Sequence, residues 1–289
     1  MIDVHYHYGL ESPLVGEALR WSSILAISGA EKTYRARYNT LDERNILHFF
    51  AFDPDYANSI SSCVGLAREN ARSIRDTISS EMWQCVNKWY LGMRTWNVDS
   101  VLKVSPHAFF TWVKNESHLF QGITNRTLMM GEARDFHDAG RFLERADQTA
   151  RILDVKYHVL LPDESNVGGG LDYFQWASIL RAVSALTAYR WVYHDSLKPW
   201  LIADLLVLNE QMPRSIASCY ANLAGYLDEL SQAYGRQGPA QRTARSIRTR
   251  LQNTTVAEIF QRTGLHEFLT DFIADNARLG DAIADQYLA

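Results

Sequence analysis

Apolar residues recur along this chain at three- and four-residue spacing, the signature of amphipathic helices. From Ser59 to Tyr90 the recurring positions are Leu66, Ala67, Ala71, Ile74 and Ile78, with a break suggested at Ser79-Ser80. From Pro106 to Asn125 they are Phe109, Phe110, Val113 and Phe120. Leu171 to Val192 and Trp200 to Asn209 follow the same rule. Gly140 to Leu161 carries Phe142, Leu143, Ala146, Ala150, Leu153, Tyr157 and Leu160 on one face. Alternating runs bounded by turn signals, which would mark strands, are absent. Prolines fall at helix punctuation: Pro54 after Asp53, Pro106 after Ser105, Pro213 ahead of a Ser-initiated stretch. Gly168-Gly169-Gly170 is a flexible connector; it neither follows a strand nor carries a lysine, so it does not read as a phosphate loop. The pattern predicts an all-α, multi-helix bundle.

The chain also repeats itself. Ile152-Leu153-Asp154-Val155-Lys156-Tyr157-His158 echoes the opening Met1-Ile2-Asp3-Val4-His5-Tyr6-His7. Trp176-Ala177-Ser178-Ile179-Leu180 echoes Trp21-Ser22-Ser23-Ile24-Leu25, and Tyr189, Arg190 and Tyr193 echo Tyr34, Arg35 and Tyr38. Ser215-Ile216-Ala217-Ser218-Cys219 echoes Ser59-Ile60-Ser61-Ser62-Cys63. The three blocks keep their order at separations of 151, 155 and 156 positions. The expectation is an internal duplication: one domain over 1–289, two halves of about 1–139 and 140–289, and a pseudo-two-fold axis between them.

Composition narrows the function classes. At 289 residues the chain can bury a large core. A net charge of −4 gives no electrostatic case for nucleic acid. No apolar run reaches membrane-spanning length, and an N-terminus with Asp3, His5 and Glu11 is no signal peptide. Cys63, Cys85 and Cys219 form no Cys-x-x-Cys pair and are expected to be buried core residues of a reduced, cytoplasmic protein. Self-association into a homo-oligomer stays open. Arg236, Arg242, Arg245, Arg248 and Arg250 read as a solvated loop and helix face, with a basic docking patch as the alternative.

The chemistry concentrates on the helix from Gly140. Opposite its apolar face run Glu144, Asp147, Arg151, Asp154 and His158, each three or four residues from the next, so that their side chains stack along one line. A solvated ladder of helical ion pairs would look the same. Against that, Asp154 and His158 recur as Asp3 and His7, and a long apolar tail follows. Buried near an axis, such a cluster would need pairing or a ligand. Glu144 is therefore expected to be buried and held by an arginine from another element, Arg75 first. Asp154, His158, Asp3 and His7 are also an alternative set of metal ligands, carboxylate and imidazole one helical turn apart.

Gly140-Arg141-Phe142-Leu143-Glu144-Arg145-Ala146-Asp147-Gln148-Thr149-Ala150-Arg151 resembles the signature of the bacterial alpha-E domain, an all-helical family named for its Glu-Arg motif. Ala67-Arg68-Glu69-Asn70-Ala71, then Arg75-Asp76, Glu81-Met82-Trp83 and Asn87, resembles a second block of that family, and Pro213-Arg214-Ser215 with Cys219 a late one. The family's pattern includes an earlier Glu-Arg motif; here the counterpart of Glu144 would fall ahead of Met1. The resemblance implies partners, a circularly permuted ATP-grasp protein and a transglutaminase-like peptidase, and a role in peptide synthesis, modification or tagging. No cofactor is implied.

Two readings follow. In one, the chain is an accessory module that binds those partners or a peptide-type substrate. In the other it is an enzyme acting on a carboxylate or phosphate-bearing substrate. Glu144 or Glu81 is then the general base, Arg75 or Arg145 the bidentate anion holder, and Asn87, Asp147, Arg151 and Asp154 further ligand contacts. Arg75 and Glu81 are six residues apart, so they serve one site only if the helix breaks between them.

Overall fold

The helices begin where the chain supplies caps. Asp42, Ser59, Ser79, Asn97, Ser105 and Ser215 each accept, through a side-chain oxygen, the amide of the residue three positions on. Each bond satisfies a donor that the first helical turn would otherwise orphan. The structure, a computed structural model, describes residues 17–159 and 170–288, all helix and connection without a strand among them. None of its helices is long and apolar enough to cross a membrane. The chain divides into two compact units, 1–129 and 130–289.

The first unit contains α1 (Glu17–Ser28), α2 (Glu31–Arg35), α3 (Glu43–Ala51), α4 (Ile60–Ser73), α5 (Ser80–Met93), α6 (Val98–Val104) and α7 (Pro106–Thr127). Its core is aromatic. Phe49 stacks on Tyr56 at 4.1 Å and meets Tyr34 edge-on, while Phe109 packs with Phe52, Trp96 and Phe110. The break at Ser79-Ser80 is present. α4 stops at Ser73, and Ser79 starts α5 by accepting the Met82 amide at 3.1 Å. This placement corrects the expected apolar face. Val64 and Ala71 are its buried members, whereas Leu66 and Ala67 are exposed. Ile74 lies beyond the helix end and is exposed as well. Cys63 is also exposed, unlike the buried Cys85 and Cys219. It sits in the first turn of α4, about 100° round the helix from the buried Val64.

The second unit contains α8 (Glu132–Val159), α9 (Gly170–Ala182), α10 (Leu186–Tyr193), α11 (Pro199–Ala203), α12 (Ile216–Ala233), α13 (Pro239–Asn253), α14 (Val256–Glu258) and α15 (Leu265–Tyr287). Single π-helical turns follow α11 at Asp204–Leu208 and α14 at Ile259–Thr263. α12 and α15 both pack along α8, and α13 closes against α12 and α15. Phe142, Ala146, Ala150 and Leu153 form the buried face of α8, as their spacing required. The helix starts at Glu132, two turns before Gly140. Gly140 is exposed inside the helix with open space around its Cα, so it ends nothing.

Several recurring sequence positions have matching local surroundings in the two units. Trp21 and Trp176 are both buried. Tyr34 donates its hydroxyl to the Thr40 carbonyl at 2.8 Å, and Tyr189 to that of Ser196 at 2.7 Å. Ser59 and Ser215 cap α4 and α12 in the same way. Cys63 and Cys219 differ, one exposed and one buried. The opening repeat lies outside the described residues, as do the side chains of its partners Val155 to His158.

Gly92, within α5, sits under the Trp112 ring, and a Cβ there would come within 2.8 Å of it. Gly92→Ala should therefore lower stability by about 1–3 kcal/mol through overpacking, despite a helix-propensity gain of about 1 kcal/mol. A denaturant titration reads the net change; a more stable variant would refute the close packing.

Candidate functional site

The two turns of α8 ahead of Gly140 hold a carboxylate that water does not reach. Asp138 has no exposed surface. Arg134 Nε approaches it at 2.5 Å, Arg141 Nε at 3.0 Å and His137 Nδ1 at 3.2 Å. The spacings i,i+4 and i,i+3 bring both arginines over the same point of the helix. Burial raises the Asp138 carboxyl, but these hydrogen bonds and charges outweigh it and hold it below the ordinary carboxylate value.

Arg141 and Arg145 then lean on one ring. Their guanidinium carbons lie 4.4 Å and 5.4 Å from the Phe142 centroid, a cation–π arrangement. Phe142 itself stacks on Tyr226 of α12. Arg145 reaches across to α12's leading segment, where its Nη1 donates to the Pro213 carbonyl at 3.4 Å. The buried Thr149 hydroxyl, 3.0 Å from the Arg145 carbonyl and 2.9 Å from that of Arg214, pins the same two segments together. So Arg141 and Arg145 share one ring, and the segment carrying Arg214 docks beside them. Burial first, then repulsion from Arg141 and Arg214, keeps Arg145 below the usual guanidinium value. Burial does the same to Arg214. Among the described residues neither has a carboxylate within ion-pair distance; Asp138, whose charge Arg145 feels, already holds Arg134 and Arg141.

Glu144 departs from expectation. It is exposed, and it accepts a 3.2 Å hydrogen bond from Gln148, one turn along its own helix. The reason is angular: about 100° separates consecutive helical residues, so packing Arg145 towards α12 turns Glu144 outwards. Asp147 pairs with Arg151 at 2.6 Å, a helical i,i+4 bridge. Asp154 meets His266 of α15 at 2.5 Å, a partner the linear pattern did not reveal. Asp3 and His7 lie outside the described residues, as does the side chain of His158; no metal-holding cluster occurs among the described ones.

Arg75, Glu81 and Asn87 belong to the first unit. Arg75 is exposed on the connection between α4 and α5, its guanidinium 4.9 Å from the Trp83 centroid. Arg68 covers Trp83 and Tyr90 at 5.5 and 4.8 Å and donates to Asn87 Oδ1 at 2.8 Å. Glu81 is exposed in the first turn of α5. The break in the helix thus gathers Arg68, Arg75 and Asn87 around Trp83.

Two cavities of about 500 and 340 Å³ share Arg250 and lie along α13 and the π-turn before α15; none of the residues above lines them. On α13, Arg245 pairs with Asp228 and Arg250 with Asp275, so much of that basic run is compensated. Cys219 lies near the arginine cluster, yet burial pushes its thiol up to about 11. It is a neutral thiol at physiological pH and no nucleophile.

One neighbour of the cluster titrates near neutrality. Burial and the adjacent Glu229 carboxylate push Asp135 up to about 6. Unfolded aspartate titrates near ~3.9. Native stability from protonated Asp135 is therefore full below about 4 and is lost as pH rises through about 6. Asp135→Asn should gain on the natural protein by about 2 kcal/mol between pH 4 and pH 8. His137, whose own value burial lowers, acts equally in both proteins. Denaturant titrations at the two pH values check this; a constant difference would contradict the raised carboxyl.

No curated protein and no solved structure matches the chain. One family model does, over residues 1–288: Alpha-E, described as a predicted alpha-helical domain with a conserved ER motif. The chain belongs to the alpha-E family.

Proposed function

We propose that this protein is an accessory helical component of an ATP-grasp and transglutaminase-like system for peptide synthesis, modification or tagging. It holds an anionic group of a partner or peptide-type substrate on the face formed by Arg141, Arg145 and Arg214. The observation that carries the reading is Arg145, held over the Phe142 ring and donating to the Pro213 carbonyl next to the half-buried Arg214, with no carboxylate among the described residues in ion-pair reach of either arginine. Partly buried cations so placed favour an external anion, and the planar guanidinium fork suits a carboxylate or phosphate. The exposed Glu144, linked only to Gln148 in the described contacts, gives no support to a buried general base. A cytoplasmic location accompanies the proposal, supported by the buried thiols of Cys85 and Cys219.

The test reconstitutes this chain with a circularly permuted ATP-grasp protein, a transglutaminase-like peptidase, ATP and peptide, and follows product by mass spectrometry. Arg145→Gln should weaken substrate or partner binding about 10–100-fold, the worth of a charge-assisted hydrogen bond, with little change in melting temperature. Glu144→Gln should leave both product and stability near the natural level. Loss of product in Glu144→Gln at unchanged stability would favour an enzyme with a Glu/Arg site instead. Unchanged binding in Arg145→Gln would refute the anion-holding role.

A further inference from the structure

The charges around Arg145 do not balance. Asp138 is the buried anion beside Arg141, and it is already shared by Arg134 and Arg141. The second buried carboxyl, Asp135, faces Glu229 and Arg134 and is ionised above about pH 6. His137 is held below its ordinary value by burial and so adds no charge near neutral pH. Cys219 is a neutral thiol and Asp147 is taken by Arg151. Among the described residues Arg145 and Arg214 therefore stand as cations with no carboxylate in ion-pair reach, both only partly exposed. The Arg145 side chain and the Arg214 main chain are both held against α8. Arg145 is held by the Phe142 ring and the Pro213 carbonyl, and Thr149 ties the Arg214 backbone to α8. Arg145 feels the repulsion of Arg141 and Arg214 in a partly dry setting, and like charges near one another there cost more than either alone. A singly charged carboxylate neutralises one of them; a doubly charged group neutralises both and offers enough oxygens for three guanidinium forks.

We propose that the Arg141, Arg145 and Arg214 face selects a dianionic phosphoryl group over a carboxylate. This rests on the anion-holding role above and narrows it to one ligand chemistry. Arg145 and Arg214 bind two of the phosphoryl oxygens. Arg141, steadied by Asp138, offers its remaining donors to the third. The phosphoryl group can belong to a simple monoester or to a nucleotide.

Calorimetric titration of the full chain with phenyl phosphate, ADP and benzoate separates these cases. At pH 7.5 phenyl phosphate or ADP should bind at least ~10-fold more tightly than benzoate, since charge-assisted bonds roughly double in number. The tighter of the two names the source. Phenyl phosphate gains its second proton near pH ~6, so its affinity should fall about ten-fold by pH 5 while benzoate, still ionised, changes little. Any gain of charge by His137, or loss of charge by Asp135, at low pH would strengthen both ligands together, so their ratio isolates the dianion. Arg214→Gln should weaken phenyl phosphate about 10–100-fold, and Arg242→Gln, an exposed arginine of α13, should not. Should Arg214→Gln fail to fold, Arg145→Gln and the natural protein's pH profile decide the same question. Equal affinity for phenyl phosphate and benzoate overturns the dianion while leaving the anion site standing. Binding of none of the three at millimolar concentration overturns both.

Discussion

The arrangement around α8 depends on one buried carboxylate. Asp138 has no exposed surface, and an isolated charge in that position would cost several kcal/mol, on the order of what a domain's whole stability tolerates. Arg134 and Arg141 compensate it, one turn to either side along the same helix. That compensation has a consequence downstream. With Asp138 saturated, Arg145 finds no acid, and its described hydrogen bond goes to a backbone carbonyl at 3.4 Å. A fixed, under-compensated cation beside Arg214 is the feature on which the functional reading stands.

The rest of the second unit serves to hold those groups still. Small and apolar residues on α8, Ala146, Ala150 and Leu153, are fully buried and admit α12 closely. Thr149, also fully buried, stitches α8 to the segment ahead of α12 through the Arg214 carbonyl. Phe142 and Tyr226 supply an aromatic floor for Arg141 and Arg145. Groups on rigid helices keep their geometry better than groups on loops, which suits recognition of a small anion. In the first unit the same physics appears with a different outcome. There Arg68 and Arg75 flank Trp83, but Arg68 also has a carboxylate at hand in Glu69 and an amide in Asn87.

The sequence by itself determined the helical class, the break before Ser80 and the buried face of α8, because each follows from local periodicity and capping chemistry. It also carried the motifs that resemble the alpha-E family, whose model matches the chain over residues 1–288. It did not determine where α8 begins. Gly140 looked like a boundary, yet an exposed glycine costs a helix only about 1 kcal/mol, and the turns ahead of it bury Asp135 and Asp138. Nor did it decide which half of the Glu-Arg pair faces inwards. Consecutive helical residues diverge by about 100°, and only the docking of α12 on α8 turned Arg145 in and left Glu144 in solvent. Arg214 was legible as part of a motif, but its meeting with Arg145 spans 69 positions, and His266 meets Asp154 across 112. Spacing along a chain constrains neighbours within a turn or two; contacts between distant segments are set by packing, and that is where the site was made.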